Sequence, residues 1–172
     1  QHRRKRDDRQ IPKPTTFGKI VTADHFYARS KKSDDIDPEV AFLKDKHAVV
    51  VYDLGTDFGY CYPVATKSAE NAATALVHFM GTTKPVKFHT DNSGELNQAI
   101  RKMGRVPIPH DHSLPGVPQT NGIAEAMVKR SIRGIRVNLF MAGLPRTFWS
   151  HAVKHHWMSR NITPKSGKPS PW

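Results

Sequence analysis

Two β-rich runs separated by three turn residues do most to limit what this chain can become. Residues 48–54 (AVVVYDL) and 58–64 (FGYCYPV) are dense in β-branched and aromatic side chains, the types that fit a pleated, half-buried surface. Gly55, Thr56 and Asp57 between them carry turn chemistry, so the stretch predicts a β-hairpin. An earlier strand is expected over about residues 19–25, with Ile20 and Val21 at its start. After the hairpin the period changes. Ser68 can cap a helix in which Ala72, Leu76, Phe79 and Met80 recur at helical spacing, and Gly81 ends it. Residues 85–90 (PVKFHT) return to a strand that runs into Asp91. A helix near 94–103 follows, then a brief extended segment and a Pro-rich loop, HDHSLPGVPQTNG. A long helix over about 121–141 stops at Gly143 and Pro145, and a last helix covers roughly 146–161. Residues 28–46 are polar and read as a loop. Antiparallel strands leading into crossover helices predict an α/β domain: a mixed five-stranded sheet flanked by helices. The expected organisation is a basic arm over residues 1–16, the domain over 17–165, and a tail over 166–172.

The carboxylates in this frame matter more than their number. Asp24 is expected to close the first strand, and Asp91 closes the strand after the crossover helix. Glu125 lies in the first turns of the long helix. If the first and fourth strands are parallel neighbours, Asp24 and Asp91 leave adjacent carboxyl ends, the edge where open α/β sheets place ligands. Gathered carboxylates repel unless a cation lies between them, and Mg²⁺ or Mn²⁺ takes such oxygen ligands and bridges to phosphate. Two such ions about 3.5–4 Å apart can activate an oxygen nucleophile and stabilise a leaving oxygen. A lone Asp at a strand end is more often a turn residue, which is the reading for Asp53 and Asp57.

Charge narrows the partner. The chain holds 27 Lys and Arg against 15 Asp and Glu, a net +12. Residues 1–14 contribute +4 of it, from six basic and two acidic side chains, so the remainder is basic as well. A polyanion is the natural partner, and phosphate contacts dominate nucleic-acid affinity. The longest clean apolar run, residues 48–52, is far too short to cross a bilayer. Four, eight and eleven positions beyond Glu125 stand Lys129, Arg133 and Arg136, within about 80° of it on one helical stripe. Ile132, Ile135 and Leu139 make the facing apolar row. Taken alone, such a helix reads as a solvated amphipathic element. The single cysteine, Cys61, excludes an internal disulfide framework and fits an intracellular, reducing compartment, nuclear or cytoplasmic.

Local context is more specific. TADHF surrounds Asp24, VVVYDLGTDFGYCYPV forms the hairpin, FHTDNSGEL surrounds Asp91, and PGVPQTNGIAEAMVKRSI leads through Glu125, with AGLPRTFW downstream. In this order, over roughly residues 17–165, the chain resembles the integrase catalytic cores of retroviruses and retrotransposons, copia-type elements in particular. That resemblance implies a ribonuclease-H-like fold and a two-metal site of Mg²⁺ or Mn²⁺ on Asp24, Asp91 and Glu125. It implies double-stranded DNA as partner, both element ends and target, and strand transfer of DNA 3′ ends within a homo-multimer. Asn92, Gln119, Asn121, Lys129, Arg133 and Arg136 would then face DNA.

Some features depart from the pattern. The residue after the glutamate is usually basic and here is Ala126, and the Asn expected three positions on is Val128. These favour an alternative: a decayed or domesticated remnant that binds nucleic acid without catalysis. A related transposase or ribonuclease H is the other alternative. The histidine pairs at 110/112 and 155/156 lack further zinc ligands and read as surface or DNA-facing. Such integrases carry an upstream His/His/Cys/Cys zinc module; none occurs in this stretch, whose first residue is Gln, so a longer parent chain is expected.

Overall fold

The computed structural model describes residues 14–28, 42–104, 107–112, 122–164, 167 and 169–172. The elements are β1 (Val21–Tyr27), β2 (His47–Asp53), β3 (Gly59–Val64), α1 (Ala69–Met80), β4 (Phe88–Thr90), α2 (Gly94–Lys102), β5 (His110–His112), α3 (Gly122–Ala142) and α4 (Trp149–Ile162). A 3-10 turn over Arg146–Phe148 leads into α4. The five strands form one sheet in the order β3-β2-β1-β4-β5. β2 runs antiparallel to both β1 and β3, whereas β4 runs parallel to both β1 and β5. The mixed five-stranded sheet expected from the element order is therefore present.

Strand alternation divides the core into two layers. Val21, Ala23, Val49 and Val51 face α1 and α2, where they meet Leu76, Phe79, Leu96 and Ile100. Phe26, Ala48, Val50 and Cys61 face α3 and α4, against Ile135, Leu139, Trp149 and Trp157. β2 is thus covered on both sides, which is why its sequence is a continuous apolar run and does not alternate. Cys61 is a buried free thiol in that core. Ser68 caps α1 by accepting the Asn71 N–H, and Gly81 takes a left-handed φ of 56° at its end.

Several boundaries shift by a few residues from expectation, and two of the shifts have a tertiary cause. β1 continues past residue 25 because β2 pairs with it as far as Tyr27↔His47. The hairpin turn is longer than three residues because the last rung is Tyr52↔Gly59. Inside that turn the buried Asp53 carboxylate accepts the backbone N–H of Gly18 at 2.9 Å and of Thr56 at 2.8 Å, and also the Thr56 hydroxyl at 2.8 Å. Asp53 and Asp57 shape the turn, as their setting implied.

Helix α4 is fastened to β3 by Asn161, which is 1% exposed and bonds both the N–H and the carbonyl of Gly59 at 3.2 and 2.8 Å. Gly134 lets α3 and α4 approach closely: a Cβ there would lie 2.3 Å from the His156 ring. Among the described residues no helix is long and apolar enough to cross a membrane.

Candidate active site at the carboxyl edge of β1 and β4

The parallel pairing of β1 and β4 covers only Val21↔Phe88, Thr22↔His89 and Ala23↔Thr90. Asp24 and Asp91 are the next residue of each strand, so they stand side by side where the two strands part. Asp24 does not close β1, as the sequence led us to expect. It is mid-strand on the β2 side, paired with Val50, and beyond the last rung on the β4 side. By alternation it shares a face with Phe26, the face covered by α3.

Glu125 arrives from the first turn of α3. The charges of Asp91 and Glu125 both reach Asp24. Burial raises the Asp24 carboxyl to about 6, the charges of Asp91 and Glu125 push the same way, and the His25 N–H and Lys67 oppose them. The opposing N–H bond is short, from His25 N to Asp24 Oδ1 at 2.7 Å. Asp91 Oδ1 accepts the Ser93 N–H at 3.3 Å, at the turn where Ser93 caps α2. The Glu125 side chain is 46% exposed and lies 3.9 Å from the Lys129 ammonium, one helical turn on.

By donor type these residues fit a hard divalent cation, and the mutual repulsion that helps to raise Asp24 is what such a cation would relieve. They are not drawn into a ligand cluster, however. Among the described residues no three His, Cys, Asp or Glu side chains form a group that could hold a metal ion.

The remaining expected residues divide by location. Lys129, Arg133 and Arg136 are exposed along α3, while Ile135 and Leu139 are buried and Ile132 partly so. The amphipathic reading of that helix therefore holds. Asn92 is exposed, and its Oδ1 accepts from Asn97 Nδ2 at 3.0 Å, within the turn that starts α2. Gln119 and Asn121 lie outside the described residues. His110 Nε2 meets the Thr90 hydroxyl at 2.7 Å, and His155 Nδ1 meets Asn138 at 3.2 Å.

Sequence reasoning passed over His25, Lys67 and Glu95. His25 points to the opposite face from Asp24, and both its ring nitrogens are buried without a hydrogen-bond partner. Burial first, and the Lys67 charge second, lower its pKa to about 4, so the ring is neutral near physiological pH. Lys67 stands just before the α1 cap and pairs with Glu95 in the first turn of α2, Nζ to Oε2 at 3.5 Å. No local pattern could have singled out this pair, because its members are joined by tertiary structure.

A sheet of this order, with helices on both faces and acids at the β1/β4 edge, defines the ribonuclease-H-like fold of the retroviral and retrotransposon integrase catalytic core. Solved structures carry that statement. The HTLV-2 integrase catalytic core domain in complex with magnesium (dimeric form) superposes with a TM-score of 0.64 at 14% identity, covering 92% of this chain and 96% of that one. The catalytic core domain of BIV integrase gives 0.60 at 12% identity, with 90% and 91% covered. The simian T-cell lymphotropic virus intasome in complex with PP2A regulatory subunit B56 gamma gives 0.69 at 16% identity, with 94% and 55% covered. In sequence, the chain has partial homology to a copia-type protein, the retrovirus-related Pol polyprotein from transposon TNT 1-94 of Nicotiana tabacum. It is 35% identical over 82 residues, which make up 46% of this chain and only 6% of that polyprotein. No family model matches the chain.

Proposed function

We propose that this chain is an integrase catalytic core that joins DNA 3′ ends to target DNA by metal-dependent polynucleotidyl transfer. The observation that carries the reading is geometric: β1 and β4 part after Ala23↔Thr90, so Asp24 and Asp91 follow adjacent rungs, and Glu125 enters in the first turn of α3. That convergence comes from residues 24, 91 and 125, the positions that the sequence motifs select.

In this reading Asp24 and Asp91 would hold divalent ions, with Glu125 completing the site. Mg²⁺ or Mn²⁺ would supply Lewis-acid activation of the attacking oxygen and charge compensation at the leaving one. The protein's own task is to position. The His25 N–H fixes one oxygen of Asp24, and the Ser93 N–H fixes one oxygen of Asp91. Lys129, Arg133 and Arg136 would bind phosphates along α3, with Asn92, Gln119 and Asn121 as further DNA-binding residues. A DNA 3′-hydroxyl oxygen attacks a target phosphorus in line, a new P–O bond forms, and the target's own 3′ oxygen leaves. Joining two ends in concert calls for a homo-multimer on double-stranded DNA.

The test is Mn²⁺-dependent joining of a labelled DNA duplex end to a plasmid. Joined product from the wild type and none from Asp91→Asn is the expected result; an equal yield from both would refute the assignment. A second reading has its own support. Ala126 and Val128 replace the residues expected beside Glu125. A remnant that binds DNA without joining it would retain the duplex and give no product with either protein.

A further inference from the structure

The topology brings a further group to the same edge. β3 is parallel to β1, since each is antiparallel to β2, so β3, β1 and β4 all end at one side of the sheet. Helices α1 and α2 therefore both begin there. Lys67, three residues past the end of β3, and Glu95, in the first turn of α2, meet at that edge. Lys67 lies close enough for its charge to act on Asp24, His25 and His47. It stands on the α1/α2 side, whereas Lys129, Arg133 and Arg136 lie on α3, across the sheet.

This placement has an electrostatic consequence. Asp24, Asp91, Glu125 and Glu95 concentrate negative charge at the edge where a polyanion would have to lie. The Lys67–Glu95 pair has side chains 37% and 35% exposed and a separation of 3.5 Å. A pair so open to solvent is weak, and a phosphodiester is a competitive partner for its ammonium.

We propose that Lys67 is a phosphate-binding residue for DNA lying across this edge, and that Glu95 holds the lysine until DNA takes it. The strand would then be gripped from both sides of the sheet, by α3 on one and by Lys67 on the other. The proposal rests on the functional reading above only in taking DNA as the ligand.

The 172-residue chain is titrated with a short blunt fluorescein-labelled DNA duplex, in EDTA, across a range of NaCl, with anisotropy as the readout. Lys67→Gln should flatten the slope of log K against log salt by about 0.9 and weaken binding several-fold at low salt. Lys67→Arg should keep the wild-type slope. Glu95→Gln frees the lysine, so it should tighten binding with the slope unchanged. A purely structural ion pair predicts instead that Lys67→Gln and Glu95→Gln weaken binding alike. An unchanged slope in Lys67→Gln, or parallel losses in both variants, overturns the proposal. The joining assay is separate: a wild type that forms no product defeats the enzymatic reading while the slopes still decide the role of Lys67.

Discussion

Replacing Asp24 by Asn should make the protein more stable near neutral pH, although it removes a group proposed for catalysis. In the folded chain the Asp24 carboxyl titrates at about 6, against an ordinary 3.8, chiefly because it is buried. A group whose folded pKa is raised binds its proton more tightly in the folded state. Its favourable contribution is complete below 3.8 and is lost as pH rises through about 6. A shift of roughly two units corresponds to about 3 kcal/mol at neutral pH. Asn is nearly isosteric, stays neutral, and keeps an oxygen to accept the His25 N–H. Asp24→Asn should therefore gain about 2–3 kcal/mol near neutral pH, which for a domain of this size is roughly 5–10 °C in Tm. The assay is urea unfolding in EDTA at several pH values for both proteins. The advantage should shrink toward zero by about pH 4, and Mn²⁺ should stabilise the wild type more than the variant. A variant no more stable than wild type near neutral pH refutes the argument, as does an advantage that persists undiminished in acid.

Two further outcomes separate structural from functional charges. Asp53→Ala strips the acceptor from the Gly18 and Thr56 N–H groups and should cost about 3 kcal/mol in urea unfolding, whereas Asp91→Asn should leave stability nearly unchanged and abolish joined product. Neutralising Lys129, Arg133 and Arg136 together should reduce the salt slope of DNA binding by roughly 2–3, read by the same anisotropy titration; an unaltered slope would leave α3 as no more than a solvated face.

The parts of the fold legible in the sequence are those that local physics fixes. Ser68 and Gly81 bound α1 because a cap and a left-handed stop act within one turn. The apolar row of Ile132, Ile135 and Leu139 sets how α3 turns, and so which charges it exposes. Register is different, since the partner strand sets it. β1 reaches Tyr27 because His47 is there to pair with it, and β4 leaves β1 after Ala23↔Thr90. No window of sequence around Asp24 contains either fact, so the sequence motif could select the residue without locating it in its strand. The divergence that misplaced Asp24 in the sequence reading is also what makes it suited to a site. A carboxylate within a fully paired stretch would be packed among side chains on every flank. At the fork it keeps one strand's hydrogen bonds for rigidity, and the parting strand leaves room for Asp91 beside it. Because β3 and β4 both end at this edge, α1 and α2 begin there, which is how Lys67 and Glu95 come into range. The chemistry proposed for this edge depends on where β4 stops pairing, which is why the sequence reading selected the acids and missed Lys67, whose charge acts on Asp24.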